Sequence, residues 1–520
     1  VGELLGCHRS FDIVGFSLSP TSVGLLDDLI SWVWEVLPPR GIDPPHVVGW
    51  MEGINLPPFN NKKEDYVSHF GYTFPDLGRD YGYMTSSANG VYSASQRFLH
   101  PDITREQFGE ARYNRNLKLA RQIMLPLKYM AHEVGDVFDC EFNPDSTPGK
   151  ICKKFGYKTK GEVLAAHPDL LRWYWLFAHV YGVTPLWFAS PKEEILLWEK
   201  IMSGVPRTFM YSDPFFITCY ANLAHPYKDA CLQLGSAYEW FPYRLGSTFV
   251  AGEYHKLMST LDGRCTVQGD CTKWDSNYSS VLKDFSADLK NFVCDFDRED
   301  RERYSYYSHH CFHSYVRMPD GDVWRMLYKK SGDPTTTDDN CNGHFAIICD
   351  LIGDIAESMG EDPLTLYNEQ RIHIYADDHV FGFQERLRKF LDYDSRSKVY
   401  ARCGQKLHPP PADIVSHGPL GLTFLGGTCG QQYGRYVPTY KFERLLAPFL
   451  LFDYTEEELK EVLASLSPML ATNLKARDYV VEYVQLYHPR LLNLLDLNKD
   501  LFTGREKAGN GGRTDRNLFE

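Results

Sequence analysis

Several common signatures are missing from this sequence. No Cys-x-x-Cys pair occurs among its 13 cysteines, and the count is odd, so neither a zinc ribbon nor a disulfide framework is expected and a reducing compartment is. No Gly-x4-Gly-Lys-Ser/Thr loop occurs, which leaves helicase- or kinase-type nucleotide binding without support. No internal repeat and no low-complexity linker divides the chain. The most apolar stretch, Trp173 to Ala189, is interrupted by His179, Gly182 and Pro185, so no transmembrane segment is expected there. It reads as a buried helix ending near the proline. A positive charge excess is also lacking. The formal net charge is −13, from 68 acidic and 55 basic residues, so any nucleic-acid site must be a local basic channel rather than a general coating surface.

What is present suits a large enzyme. The chain has 520 residues, roughly three packing units at about 150 residues each. It is 43% hydrophobic and 24% charged, enough to bury a core, and 33 Tyr with 31 Phe favour dense packing over low complexity. Residues 1–140 alternate Pro/Gly-rich loops (Pro38-Pro39, Pro44-Pro45, Ser86 to Gly90) with short apolar runs, and no chemistry reads from them. Between about 141 and 265 basic and aromatic residues gather. Between Lys150 and Lys160 five lysines (Lys150, Lys153, Lys154, Lys158, Lys160) stand without an acid, either as a solvated loop or as a surface that tracks phosphates.

From 266 to 430 the pattern becomes short strands and amphipathic helices. Thr266 to Asp270 is a candidate strand. Val281, Leu282, Phe285, Leu289, Phe292 and Val293 recur at helical spacing, as do Phe345, Ile348, Ile352 and Ile355. Val316 to Leu327 predicts a hairpin turning at Pro319-Asp320-Gly321-Asp322, and Ile372 to Phe383 predicts a second one around an acidic pair. From about 441 the chain is expected to be mostly helical. Thr455 and Glu458 match a capping box, and the tail from Gly504 to Glu520 is expected to fray.

Three segments carry candidate chemistry: Gly269 to Asp275, Ser331 to Asn340, and Tyr375-Ala376-Asp377-Asp378. Adjacent aspartates at a tight turn between apolar strands repel one another. They are either solvated or held by divalent cations, and hard oxygen donors suit Mg²⁺ or Mn²⁺. Two such ions, about 4 Å apart, can activate a 3′-hydroxyl and stabilise a leaving pyrophosphate, with Asp270 supplying a shared ligand. Ser331-Gly332 reads as a flexible turn. Thr336 and Asn340 follow on one helical face, where a hydroxyl and an amide can read a sugar or merely cap the helix.

In this order the three segments resemble palm motifs A, B and C of viral RNA-dependent RNA polymerases. Asp270 and Asp275 match Asp-x4-Asp of motif A. Ser331, Gly332, Thr336 and Asn340 match motif B in full, and Ala376-Asp377-Asp378 stands where motif C usually has Gly-Asp-Asp. Ser146-Thr147-Pro148-Gly149 looks like motif G, which meets the template. Lys192-Glu193-Glu194, Lys200 and Arg207 look like motif F, which supplies cations to the incoming triphosphate. Leu422 to Gly427, with Leu425 and Gly426 at its turn, looks like motif E, which grips the primer end. The motif order is unpermuted, and the overall look is that of positive-strand RNA viruses of the picornavirus-like and astrovirus-like group.

The resemblance implies an α/β right-hand polymerase. Its parts would be an N-terminal extension and fingers over 1–265, palm over 266–289, a fingers insertion over 290–330, palm again over 331–430, and a helical thumb with its tail over 431–520. It implies catalytic and metal-binding roles for Asp270, Asp377 and Asp378, and nucleotide binding by Lys192, Lys200, Arg207, Asp275, Ser331, Thr336 and Asn340. Template or primer binding is implied for Ser146, Thr147, Pro148, Gly149, Gly332, Leu425 and Gly426. The expected cofactors are two Mg²⁺ (or Mn²⁺) ions. The expected partners are an RNA template, a primer or nascent strand, ribonucleoside triphosphates and other viral replication proteins. The implied location is a replication complex at membranes of the host cytoplasm. A chain beginning at Val1 without a leader fits a product cut from a longer polyprotein.

Two departures matter. Ala376 adds a methyl group where the family's glycine makes a tight turn, and Tyr-Ala-Asp-Asp is also found in reverse transcriptases. In those enzymes a bulky aromatic stands at the position of Asp275, so the carboxylate here favours ribonucleotides. Reverse transcription, or a decayed RNA-binding palm, is the alternative. The second departure is in motif D, where Pro411-Ala412-Asp413-Ile414 lacks the family's lysine. Lys406, His408, His417 or water is left as proton donor. Ser308 to His313 invites a zinc reading, but adjacent histidines on a strand would point to opposite sides. Cys271 and Cys341 read as packing residues beside the proposed site.

Overall fold

The structure, a computed structural model, describes residues 16–39, 44–52, 81–84, 88–192, 194–247, 249, 252–432, 434–442, 445–446 and 455–494. The Gly504–Glu520 tail and Ser86 lie outside them. The architecture is mixed α/β with mostly antiparallel sheets, as the motif order implies.

The N-terminal half contributes β1 (Val47–Trp50), β2 (Tyr81–Met84), β3 (Leu186–Pro191), β4 (Glu194–Leu197) and β5 (Thr208–Tyr211). The middle adds β6 (Cys265–Gln268), β7 (Ser314–Arg317), β8 (Asp322–Met326), β9 (Arg371–Tyr375), β10 (Asp378–Phe383) and β11 (Ile414–His417). Then come β12 (Thr423–Phe424), β13 (Gly427–Gln432) and β14 (Arg435–Tyr440). Among the described residues these form sheets ordered β1-β8-β7-β3-β5, β11-β6-β10-β9, β12-β13-β14 and β2-β4.

Both hairpins form where alternation predicts them. β7 and β8 turn through Gly321, whose φ of 102° is open to glycine. The hairpin then joins β3 in parallel, Leu186 opposite Tyr315, and β1 in antiparallel register, so the segment between the first two motifs is stitched into the N-terminal half. β9 and β10 pair with Tyr375 opposite Asp378 and lie beside β6 in the four-stranded sheet.

One helix packs on that sheet and a second packs on the first. α1 (Ser280–Cys294) buries Val281, Leu282, Phe285, Leu289 and Val293, the face its spacing predicts. α2 (Thr336–Met359) buries Phe345, Ile348, Ile352 and Ile355, but also Asn340, Asn342, His344 and Asp350. It is a central helix rather than an amphipathic surface one. Beyond β14, α3 (Glu456–Leu470) starts with both bonds of the Thr455–Glu458 capping box. With α4 (Leu474–Tyr487) it forms a separate core around Leu459, Leu463, Val480 and Val484.

Local expectations are corrected in three places. The apolar stretch from Trp173 is a helix only to Tyr181. Gly182 ends it in the left-handed region (φ 62°), and after Pro185 the chain becomes β3. Ala88 to Gly90 open the helix Ala88–Ser95 instead of closing a loop. His309 and His310 lie on the helix Arg298–Phe312, not on a strand, and His309 stacks on His313 with ring centroids 4.6 Å apart.

Candidate active site

β6 runs between β11 and β10, with Gln268 opposite Val380; continued past the strand ends, that register sets Asp270 across from Asp378. Gly269, between them, has no room for a side chain. A Cβ there would stand 2.9 Å from Leu407 Cδ1 and 3.2 Å from Asp413 Oδ1. The backbone then leaves the sheet and pairs with a second segment. The Asp270 carbonyl accepts the His408 amide at 2.8 Å, and the Thr272 amide donates to the Lys406 carbonyl at 2.8 Å. Asp270 is thus held by its backbone on both sides while its side chain is exposed.

The turn joining β9 to β10 is Ala376-Asp377. Ala376 takes φ 55°, the left-handed region where glycine is favoured, which explains the family's preference. Its amide donates to Cys341 Sγ at 3.1 Å, and its carbonyl lies 3.2 Å from His344 Nδ1, so the turn is docked on α2. Asp377 is exposed at the tip, yet hemmed in by protein. That crowding pushes its carboxyl up from the usual range. The charges of Asp275 and Asp270 push the same way, and Arg207 opposes them. Burial pushes Asp378 up to about 6; the Leu425 amide, donating to its Oδ2 at 2.6 Å, works against that, and Asp377 and Asp270 add to it. The carboxyl groups of 270, 275, 377 and 378 therefore share one electrostatic neighbourhood with Arg207 although they come from distant segments.

Acceptor-only carboxylates gathered at one turn are a donor set that fits a hard divalent cation. Among the described residues no three His, Cys, Asp or Glu side chains stand close enough to hold one ion as placed.

Asp275 sits in the helical turn Trp274–Asn277, and its Oδ1 accepts Asn340 Nδ2 at 2.9 Å. Asn340 Oδ1 is buried and has no partner. Thr336 shares the helix but not the role: its Oγ1 lies 2.8 Å from the carbonyls of Lys330 and Asp333 and closes the loop. Ser331 is exposed. Gly332 is not there for flexibility. A Cβ would stand 2.0 Å from the Met210 carbonyl oxygen, so two backbones meet at this residue.

Beneath the loop lies a buried ionic network that the sequence reading missed. Lys329 donates to Asp333 (2.6 Å), Thr335 (2.8 Å) and Asp339, and Lys290 bridges Asp338 and Asp339 at 2.5 Å each. Burial works against the Asp339 anion, but the two ammonium groups outweigh it and hold its carboxyl below the usual range.

The cationic residues divide. Arg207 is exposed just before β5, and its charge reaches Asp377. Lys192 is exposed, and its amide donates to the Arg207 carbonyl at 2.7 Å. Lys200 falls in the helix Trp198–Met202; its side chain, like Glu193, lies outside the described residues. Arg97, which the sequence reading did not single out, interacts electrostatically with both Asp275 and Arg207.

In the motif G stretch, Ser146 Oγ donates to the Asn143 carbonyl at 2.8 Å. Thr147 is exposed, while Pro148 and Gly149 are buried before the helix Lys150–Lys154. Lys153, Lys154 and Lys158 are exposed, but Lys160 is buried with its ammonium 4.9 Å from the Phe142 ring centroid, so it is no surface cation. Leu425 and Gly426 form the two-residue turn of β12–β13, both with positive φ (50° and 79°), as a primed hairpin turn requires. Of the proton-donor candidates, His408 Nε2 lies 3.1 Å from Thr272 Oγ1. His417 stands opposite Cys265 at the other end of the sheet and leans towards Glu385. Asp413 is committed to a buried pair with Arg396.

Comparison with known proteins agrees with this geometry. A family model described as viral RNA-dependent RNA polymerase matches residues 156–487. The chain is 24% identical over 346 residues to the non-structural polyprotein 1AB of Ovine astrovirus 1, covering 61% of this chain and 24% of that one. It is 25% identical over 256 residues to the same polyprotein of Mink astrovirus 1 (47% and 18% covered), and 23% identical over 320 residues to that of Avian nephritis virus 1 (58% and 20%). The chain thus spans about a quarter or less of the length of these relatives. With a family match over most of its length and the motif residues gathered about one turn and one helix, the chain belongs to the viral RNA-dependent RNA polymerases.

Proposed function

We propose that this chain copies an RNA template by adding ribonucleotides to the 3′ end of a primer or nascent strand. The observation that carries the reading is geometric: the β6–β10 register sets Asp270 across from Asp378 at the end of the sheet, and Asn340 of the next motif is bonded to Asp275. When bound, two Mg²⁺ or Mn²⁺ ions held by Asp270 and Asp377, with Asp378 assisting, would lower the pKa of the 3′-hydroxyl and stabilise the leaving pyrophosphate.

The chain's own residues do the rest. Arg207 binds the triphosphate through its planar fork, with Lys200 and Lys192 adding charge. Asp275 and Asn340 read the ribose. Asn340 Nδ2 is engaged with Asp275, and its free Oδ1 is an acceptor for a 2′-hydroxyl. Ser331 lines the sugar side of the loop, and Thr336 holds that loop in shape. Ser146, Thr147, Pro148, Gly149 and Gly332 guide the template. Leu425 and Gly426 hold the primer end, and the Leu425–Asp378 bond ties that grip to the catalytic turn. Lys406 or His408, both beside the Asp270 segment, is the proton donor to pyrophosphate.

The division into fingers (1–265 and 290–330), palm (266–289 and 331–430) and thumb (431–520) is supported by the β7–β8 hairpin joining the N-terminal sheet and by the separate core of α3 and α4. Other viral replication proteins are the expected partners, at membranes of the infected cell. Among the described residues no helix is long and apolar enough to cross a membrane.

Primer extension on an RNA template, with ribo- and deoxyribonucleotides in parallel, tests the proposal. The wild-type chain should extend with ribonucleotides, and Asp377→Ala should abolish extension while binding RNA as tightly. Elongation by Asp377→Ala near the wild-type rate, or a wild-type preference for deoxyribonucleotides, would overturn it.

A further inference from the structure

We propose that Arg97, in the N-terminal section, binds the triphosphate of the incoming nucleotide together with Arg207. The inference rests on the polymerase reading above and extends it to a segment outside every motif of the resemblance.

Residues 96–104 are laid along the segment that carries Asp275. His100 Nε2 lies 2.5 Å from the Ser276 carbonyl oxygen. The Tyr328 hydroxyl donates to the His100 carbonyl at 2.6 Å, and the Tyr328 ring stacks on the His100 ring with centroids 4.4 Å apart. Asp102 accepts the Ser280 amide at 2.8 Å, and the Val281 amide donates to the Ile103 carbonyl at 3.0 Å. Three of these four hydrogen bonds fall on the chain just after Asp275. They fix the helical turn Gln96–Phe98, and with it Arg97, beside the ribose-reading pair.

The Arg97 guanidinium is poorly satisfied where it stands. Its Nε is buried without a hydrogen-bond partner, and among the described residues it forms no ion pair; its contact is with the Phe98 ring, 5.0 Å from the centroid. A buried donor left without an acceptor costs stability. Burial holds the group below its usual range, Asp275 offsets part of that, and the like charge of Arg207 adds to it. No hydrogen bond joins it to Asp275, whose Oδ1 accepts from Asn340. An anion placed between Arg97 and Arg207 relieves the missing hydrogen bond and the repulsion together. Arg207 also reaches the catalytic turn, so the anion belongs on the reaction side, where the triphosphate of the substrate arrives.

The test is steady-state primer extension by Arg97→Ala and Arg97→Lys, with ATP and with 2′-deoxy-ATP, beside equilibrium binding of the primer–template and a melting curve. The expected result is a KM raised by about tenfold to a hundredfold for both nucleotides alike, the size of a lost hydrogen bond to a charged group, with RNA affinity unchanged. Arg97→Lys should fall between Ala and wild type. An unchanged KM overturns the proposal. So does a rise confined to ATP, which would make Arg97 only an orienter of Asp275. A loss of RNA affinity overturns it as well, making the RNA backbone the anion. Should the Ala variant melt early, Arg97→Lys decides: it keeps the charge and loses the fork, and an unchanged KM in it also overturns the proposal. A wild-type chain that extends no primer sinks the polymerase reading and this inference together. Wild-type extension with an unaltered Arg97→Ala sinks this inference alone.

Discussion

Asn340 donates its side-chain amide to the Asp275 carboxylate across 2.9 Å, joining the turn after β6 to the first turns of α2. The bond leaves Asn340 Oδ1 buried and without a hydrogen-bond partner, the acceptor proposed above for a hydroxyl that a deoxyribose lacks. Asp275→Phe removes the partner that orients Asn340 and fills the space of the 2′-hydroxyl. Discrimination between ATP and 2′-deoxy-ATP, read as the ratio of kcat/KM values, should fall by about tenfold to a hundredfold. An unchanged ratio would mean that the sugar is read elsewhere.

Gly332 is tested by a methyl group. Its Cβ would meet the Met210 carbonyl oxygen at 2.0 Å, and a backbone atom of β5 cannot swing aside. Gly332→Ala should lower stability by about 1–3 kcal/mol in denaturant titration. Gly24→Ala is the control: nothing stands within 4 Å of that Cβ in the helix Pro20–Glu35, and the change should stabilise by about 0.5–1 kcal/mol. Equal effects at both positions would contradict the close backbone approach.

Ala376 holds φ 55° without glycine's freedom. Left-handed backbone costs an L-residue about 1–2 kcal/mol, partly offset by the greater unfolded-state entropy of glycine. Ala376→Gly should therefore raise stability by up to about 1 kcal/mol and keep activity. A lower melting temperature would show that the methyl group contributes packing that outweighs the strain.

Lys330 supplies a pH test. Its ammonium is buried and donates to the carbonyls of Phe312 and Tyr328 at 2.8 Å and of Cys311 at 3.1 Å; burial pushes its pKa down to about 7. Between that value and the ordinary one, the unfolded chain holds a proton that the native chain has lost, so stability rises with pH there. Relative to Lys330→Met, the wild type should gain at most about 1.4 kcal/mol per pH unit from about pH 7 to 10. Parallel stability curves for the two proteins would contradict the assignment.

The catalytic segments were legible because each stands at a punctuation point. Asp270 follows a strand, Asp377 interrupts an alternating hairpin, and Asn340 lies one helical turn after Thr336. The two hairpins and the capping box followed from the same local rules. Arg97 was not legible, because its partners come from chain segments far along the sequence and its own neighbourhood carries no motif. Lys290, Lys329 and Asp339 were not legible either. Lys329 to Asn340 reads as a polar turn running into a helix, and only tertiary packing shows that its charges neutralise one another away from water. His309 was misplaced because periodicity in a run of aromatic and histidine residues does not separate strand from helix. Gly182 cut an apolar stretch into two elements that composition alone joins.

The central claim, that Asp270 and Asp377 hold the same pair of cations, is tested most directly by anomalous scattering. The experiment uses Mn²⁺-soaked crystals of the chain bound to a primer–template and a non-hydrolysable ribonucleoside triphosphate. Two peaks should appear between the two carboxylates, with the triphosphate on one and the 3′ end on the other. Manganese density elsewhere, or none near residue 377 in a complex that holds both RNA and nucleotide, would contradict it.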